Sequence, residues 1–314
     1  MKKTKETKEE IKEITEPFDM KKEINRITAN QYYTSQEIRI TGMNNLRDII
    51  RRKVENLPQA KVEGKKKPED KYKKLYTDDK LKELIVLMLK DEKLSQEEFD
   101  YLNQVISVKE EAEKVNMKYK DLMMVHIAKE PVYQEFLSKI KGIGPVISCR
   151  LIKEFGNCEK APHIASLWKY CGYHTVDGHA PKRAKGVKLD FNIQLRSFVW
   201  NIADSFVKKR TAVYRRIYDA ERVRQNSLIE QDAPNKPANQ KQADLRARRK
   251  IAKLFLSHYW TASRELNGLP LSDPYPFAKL GHSPQHLISW KDVVAECELD
   301  KLKPKIKKVK IKAN

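Results

Sequence analysis

Apolar residues fall at helical spacing over the first third of the chain. Met43, Leu46, Ile50, Val54 and Leu57 step by three or four, while Arg47, Arg51, Arg52 and Lys53 lie between them. This pattern predicts a long amphipathic helix over residues 18–58. The segment "QAKVEGKKKPEDKYKK" breaks the periodicity with Gly, Pro and a lysine run, which marks 59–77 as a basic linker. Helical texture resumes over 78–130 in a coiled-coil-like segment, where Ser95 followed by Glu98 forms a capping box. Residues 131–222 are the most structured-looking part, within a domain expected to span 131–272. Phe191, Leu195, Phe198, Val199, Ile202 and Phe206 make a core stripe, and residues 225–242 read as a polar loop. A helix over 243–266 follows, stopped by Asn267, Gly268 and Pro270. Residues 1–17 form a charged flexible tail, and 273–314 a C-terminal extension ending in the lysine-rich "KLKPKIKKVKIKAN". Strand alternation is absent except weakly in that tail, so the expected fold class is all-α.

Charge changes this picture from a generic helical protein to one with an anionic partner. Lysine and arginine outnumber aspartate and glutamate 64 to 43, for a formal net charge of +21. A surface made ionic for solubility alone would mix the signs more evenly, so nucleic acid, double-stranded DNA or structured RNA, is the first expected partner and an anionic membrane face the second. No stretch has the length and apolarity of a membrane span, and the N-terminus lacks the apolar centre of a signal peptide. A cytoplasmic location without membrane contact is expected. Cys149, Cys158, Cys171 and Cys297 show no paired spacing and read as reduced thiols. The set Cys158, His163, Cys171 and His174 matches no common zinc spacing, so no metal and no cofactor are expected.

The chemistry concentrates at "KGIGPVISCR", Lys141 to Arg150. Pro145 suits the first turn of a helix, because its missing N–H would be unpaired there anyway. Gly156 is placed to end that helix. Gly142 and Gly144 permit positive φ and leave no Cβ in the way of an approaching group, with Ile143 plugged into the core between them. Such a turn presents backbone amides at a helix N-terminus, a geometry that binds phosphate. The expected DNA contacts are therefore Lys139, Lys141, Gly142, Ile143, Gly144, Pro145, Val146, Arg150 and Lys153. The loop "HAPKRAKGVK" adds Lys182, Arg183, Lys185 and Lys188, and Arg196 stands on the helix after it. On the 243–266 helix, Ile251, Leu254, Phe255, His258, Ala262 and Leu266 share one side. Arg246, Arg249, Lys250, Lys253 and Arg264 fall opposite and predict a cationic stripe that extends the footprint. Trp168, Tyr170 and Tyr173 read as packing residues rather than base-stacking platforms.

The ordered set "FLSKIKGIGPVISCRLIKEFGN", "SLWKYCGYHTVDGHAPKRAKGVKLDFNIQLRSFVW" and "RARRKIAKLFLSHYW" resembles the C-terminal domain of the insertion-sequence transposases that carry an N-terminal RuvC-like DEDD domain, the bridge-RNA-guided recombinases, archaeal-type members included. The first element is similar to their helix-hairpin-helix motif, and the resemblance covers about 131–272. It implies DNA binding in transposition or recombination. The metal-binding DEDD half has no counterpart: the chain opens on amphipathic helix, and Asp70, Asp78 and Asp79 lie in polar linker sequence. Where many members of the family carry a nucleophilic serine before glycine, this chain has Val176, Asp177 and Gly178. An aspartate cannot replace a serine that forms a phosphoester with DNA, so no catalytic residue is assigned and an accessory role is expected. A transposase completed by a partner's metal domain, and an architectural RNA-binding protein, are the alternatives. The long N-terminal helix offers a homodimer seam through Met43, Leu46, Ile50 and Leu57, or packs on the chain's own C-terminal half; the sequence leaves both open.

Overall fold

A computed structural model describes residues 19–55, 80–176, 178–182, 185–272 and 288–302. The described residues are all-α. Helix α1 spans Met20–Glu55, α2 Leu81–Lys90 and α3 Gln96–Ile127. A short α4 (Pro131–Glu135) and a 3-10 turn (Leu137–Lys139) lead into α5, Pro145–Phe155. Helices α6 (Ile164–Tyr170), α7 (Ile193–Lys209), α8 (Ala212–Glu230), α9 (Gln240–Leu266) and α10 (Trp290–Leu302) complete the chain. The proposed tail at 1–17 and linker at 59–77 lie outside the described residues.

Local chemistry sets the ends of these helices. Ser95 accepts from the Glu98 amide and Glu98 accepts from the Ser95 amide, which starts α3 with two otherwise unpaired donors satisfied. Asn192 caps α7 by accepting from the amides of Gln194 and Leu195. Asn239 accepts from the Gln242 amide and so starts α9 three residues earlier than the apolar pattern suggests. Helix α8 likewise runs on to Glu230, through the first six residues of the expected polar loop, because Gln225 is buried and donates to Glu221 at 2.6 Å.

Helices α1 and α3 run antiparallel. Met43, Leu46, Ile50 and Val54 near the end of α1 pack with Leu102 and Ile106 near the start of α3, and α2 closes that end with Leu84, Ile85 and Met88. At the other end Ala29 and Tyr32 meet Met123 and Ile127. Between the two apolar ends Asn116 donates to the Tyr32 carbonyl and to Ser35 Oγ, at 2.9 and 2.8 Å. The seam foreseen for a homodimer is thus used within the chain. Met43, Leu46 and Ile50 are buried against α2 and α3 rather than against the C-terminal half, and Leu57 lies outside the described residues.

The C-terminal body is organised around α9. Phe206 stacks on Tyr214 at 4.2 Å, and Phe255 meets both from the side. Phe136, Leu195, Ile202 and Tyr259 are also fully enclosed, each side chain contributing about 1.5–3 kcal/mol by leaving water. Helix α10 belongs to this body, with Trp290, Val293, Val294 and Cys297 in the same core. The antiparallel stalk joins it through α5, whose Val146, Cys149 and Ile152 pack with the Tyr32–Met123 end.

Candidate nucleic-acid interface

The turn between the 3-10 segment and α5 is the centre of the candidate site. Gly142 has φ +96, a conformation that L side chains rarely adopt, and a Cβ there would lie 3.0 Å from Ser205 Oγ. Gly144 does not use that freedom: its φ is −106, and a Cβ would meet nothing within 4 Å. No contact among the described residues therefore demands glycine at 144. Ile143 packs against the core as foreseen, Pro145 opens α5, and Gly156 closes it with φ +51.

A second turn holds the first from behind. Helix α7 ends at Arg210 in the left-handed conformation, and Thr211 precedes α8. Thr211 Oγ1 donates to the Lys141 carbonyl at 2.6 Å, and Ser205 Oγ donates to the Gly142 carbonyl at 3.0 Å. In a trans peptide the N–H points opposite to the C=O, so the Gly142 amide is turned away from Thr211. Among the described residues no acceptor meets the amides of Gly142, Gly144, Val146 or Ile147. These four residues are half-buried, so the amides lie at the edge of the core rather than beneath it. Cys297 on α10 sits below the turn, within reach of the Lys141 amide, and Asp300 lies 3.7 Å from the Lys141 ammonium.

Beside the foreseen Lys141, the cations nearest this corner come from a segment that the sequence reading did not single out. Lys209 and Arg210 are exposed, and the Lys209 Cβ lies 3.7 Å from where a Cβ on Gly142 would sit. With exposed Lys141 and Lys208, the latter paired to Asp204 at 2.6 Å, they form the rim. The sequence carried the signal as Lys208, Lys209 and Arg210 in a row at a helix end. Chain distance from the glycines hid it.

Several expected contacts point elsewhere. Lys139 pairs with Glu135 at 3.0 Å. Arg150 lies between the rings of Tyr33 and Phe198, 4.8 and 4.4 Å from their centres. Lys153 donates to Asn30 at 2.8 Å. Both bind the stalk to the core. The stripe on α9 is not a free cationic face, because α8 and the chain from Cys158 to His174 lie over it. Arg246 donates to the Asn235 carbonyl, and Lys250 pairs with Glu221 at 2.7 Å. Arg249 donates to the carbonyls of Tyr173 and His174 at 2.8 and 2.7 Å, and Lys253 covers the Trp168 ring at 3.9 Å. Arg264 is only 4% exposed and donates to the carbonyls of Pro270 and Cys158. Burial is the largest influence on Arg249 and Lys253 and lowers the pKa of each.

In the loop after α6, Val176 and His179 pair their backbones around Gly178. Lys182, Lys185 and Lys188 are exposed, whereas Arg183 and Asp177 lie outside the described residues. Arg196 ties this loop down by donating to the Pro181 carbonyl at 2.8 Å. Gly172 anchors its start: at φ +69 its missing Cβ makes room for the Phe191 ring, which would otherwise lie 2.5 Å away. Tyr173 is buried and Trp168 half-buried, while Tyr170 is 47% exposed. Burial pushes the Cys158 thiol up to about 12 and the Cys149 thiol up to about 11. Among the described residues no three His, Cys, Asp or Glu side chains gather as metal ligands, and no helix is long and apolar enough to cross a membrane.

No match to the chain was found among curated proteins or among solved structures. Residues 134–219 match the family model described as Transposase IS116/IS110/IS902 family. The matched segment runs from α4 through the glycine turn, α5, α6 and α7 into the first half of α8, and so contains both stapled turns. About a quarter of the chain is therefore similar to the transposase-type domain of that family.

Proposed function

We propose that the chain binds the phosphate backbone of duplex DNA at the corner where the 141–145 turn meets the 209–211 turn, as an accessory factor in transposition or recombination. The observation that carries this reading is the bare Gly144 beside unpaired amides, rimmed by exposed Lys141, Lys209 and Arg210. Unpaired amides at a helix start and mobile cations around them recognise phosphate without reading bases. The family of the 134–219 segment supports a nucleic-acid partner. Lys182, Lys185 and Lys188, exposed on the loop before α7, extend the footprint along one strand.

Fluorescence anisotropy on a random 20-base-pair duplex tests the proposal. Engagement of these six cations should make log K fall with log salt at a slope of about −5. The double substitution Lys209→Glu/Arg210→Glu should weaken binding by at least about tenfold and flatten the slope by about two. A salt-independent affinity, or full affinity in the double variant, would rule the corner out. Structured RNA that displaces the duplex at equal salt would transfer the assignment to RNA.

A further inference from the structure

Helix α3 carries two seams: one is buried within the chain, and the other packs on it only through the edges of Val105 and Tyr119. The buried seam, through Leu102, Ile106, Asn116, Met123 and Ile127, faces α1. The second runs from Tyr101 through Val105, Val108, Ala112, Val115 and Tyr119 to Leu122. Its spacing alternates four and three without a break over three heptads, and every position is apolar. Such a repeat keeps one line of side chains facing a partner helix along the supercoil. Tyr101, Val108, Val115 and Leu122 are 60%, 57%, 43% and 47% exposed, and the three residues between them are half-buried. A surface helix that needed only α1 would place polar residues on this line.

We infer that this seam pairs with the same seam of a second copy of the chain, antiparallel, with Val108 set against Val115 of the other copy. Charge fixes the direction. From Gln96 to Glu113 the helix carries six acids and one lysine, whereas Lys114 to Ile127 carries three lysines and one aspartate. A parallel pair would set acid against acid, and an antiparallel pair lays the half with exposed Glu97 and Glu111 along the half with exposed Lys114 and Lys118. The pairing is isologous, the arrangement that closes into a dimer without leaving a further sticky face. The segments outside the described residues hold no apolar repeat of three heptads: 1–18, 56–79 and 303–314 are dominated by charge, and 273–287 is interrupted by Pro274, Pro276 and Pro284. Dimerisation is independent of the phosphate corner.

Sedimentation velocity on the full chain at micromolar concentration gives the test. The wild type should sediment as a particle of twice its 36.8 kDa. Val108→Glu/Val115→Glu should run as a monomer with an unchanged helical circular-dichroism signal, because both side chains face outward. A monomeric wild type, or a dimer that persists in the double variant, overturns the inference. Orientation is read by cysteine cross-linking. Chains with Tyr101→Cys mixed with chains with Leu122→Cys should form a disulfide-linked pair, while neither alone should, since like positions stand about 30 Å apart in the antiparallel arrangement. A covalent dimer of the Tyr101→Cys chain alone overturns it.

Discussion

Gly142 and Gly144 stand two residues apart and serve different ends. Gly142 is held at positive φ under Ser205, so its glycine is required by the fold. Substitution by alanine there should cost about 1–3 kcal/mol of stability, seen as a lower denaturant midpoint. At Gly144 an alanine keeps an ordinary φ and projects into open space, so the loss should stay below about 1 kcal/mol, mostly from a poorer helix cap. Duplex affinity should respond in the opposite order. Gly144→Ala should lose about tenfold in binding while melting near the wild type, if a phosphate oxygen approaches the Cα closely. The sequence showed that both glycines were special but not which was structural, since that distinction depends on Ser205 and Thr211, more than 60 residues away.

Helix α9 shows where periodicity stops being informative. Its two faces were legible, and Ile251, Phe255, His258 and Ala262 are buried as the spacing predicts. The fate of the opposite face was not, because arginine donates equally well to phosphate and to a protein carbonyl. Arg249→Lys separates these roles. The charge is kept, so a phosphate contact would survive, whereas the paired bonds to Tyr173 and His174 carbonyls require the guanidinium fork. The substitution should lower stability by about 1–3 kcal/mol with little change in duplex affinity. On the same helix His258 lies between Tyr214 and the Ile288 carbonyl, both at 2.9 Å. The carbonyl can only accept, so Nε2 carries the proton and Nδ1 accepts from the tyrosine hydroxyl. Burial holds the imidazole down to about 4, below its ordinary 6.5. The unfolded chain therefore binds the extra proton first as pH falls from 6.5 towards 4, and this contribution to stability is lost across that window. Urea midpoints should drop over that range in the wild type, and His258→Gln, less stable at pH 7, should show a shallower drop.

At the scale of the whole molecule, a charge of +21 raised the expectation of a polyanionic partner without saying which cations would meet it. The fold divides them. Arg150, Lys153, Arg248, Arg249 and Arg264 are consumed in joining helices, Arg248 by Asp244 and Asp204. Lys141, Lys209, Arg210 and the loop lysines remain exposed. The all-α class, the α3 cap and the glycine corner were readable from local sequence; the packing of α10 was not, because its short apolar set acquires meaning only against Phe136 and the α8–α9 core. Arg150 is the sharpest case, since it lies only five residues beyond Pro145. Its guanidinium bridges Tyr33 of the stalk and Phe198 of the core. Arg150→Ala should therefore lower the melting temperature and speed proteolysis between α3 and α5, leaving the salt slope of duplex binding within half a unit of the wild type. Lys209→Ala should leave melting unchanged and reduce the slope by about one. If the two substitutions exchanged these effects, the division between joining and contacting cations would have been drawn on the wrong residues.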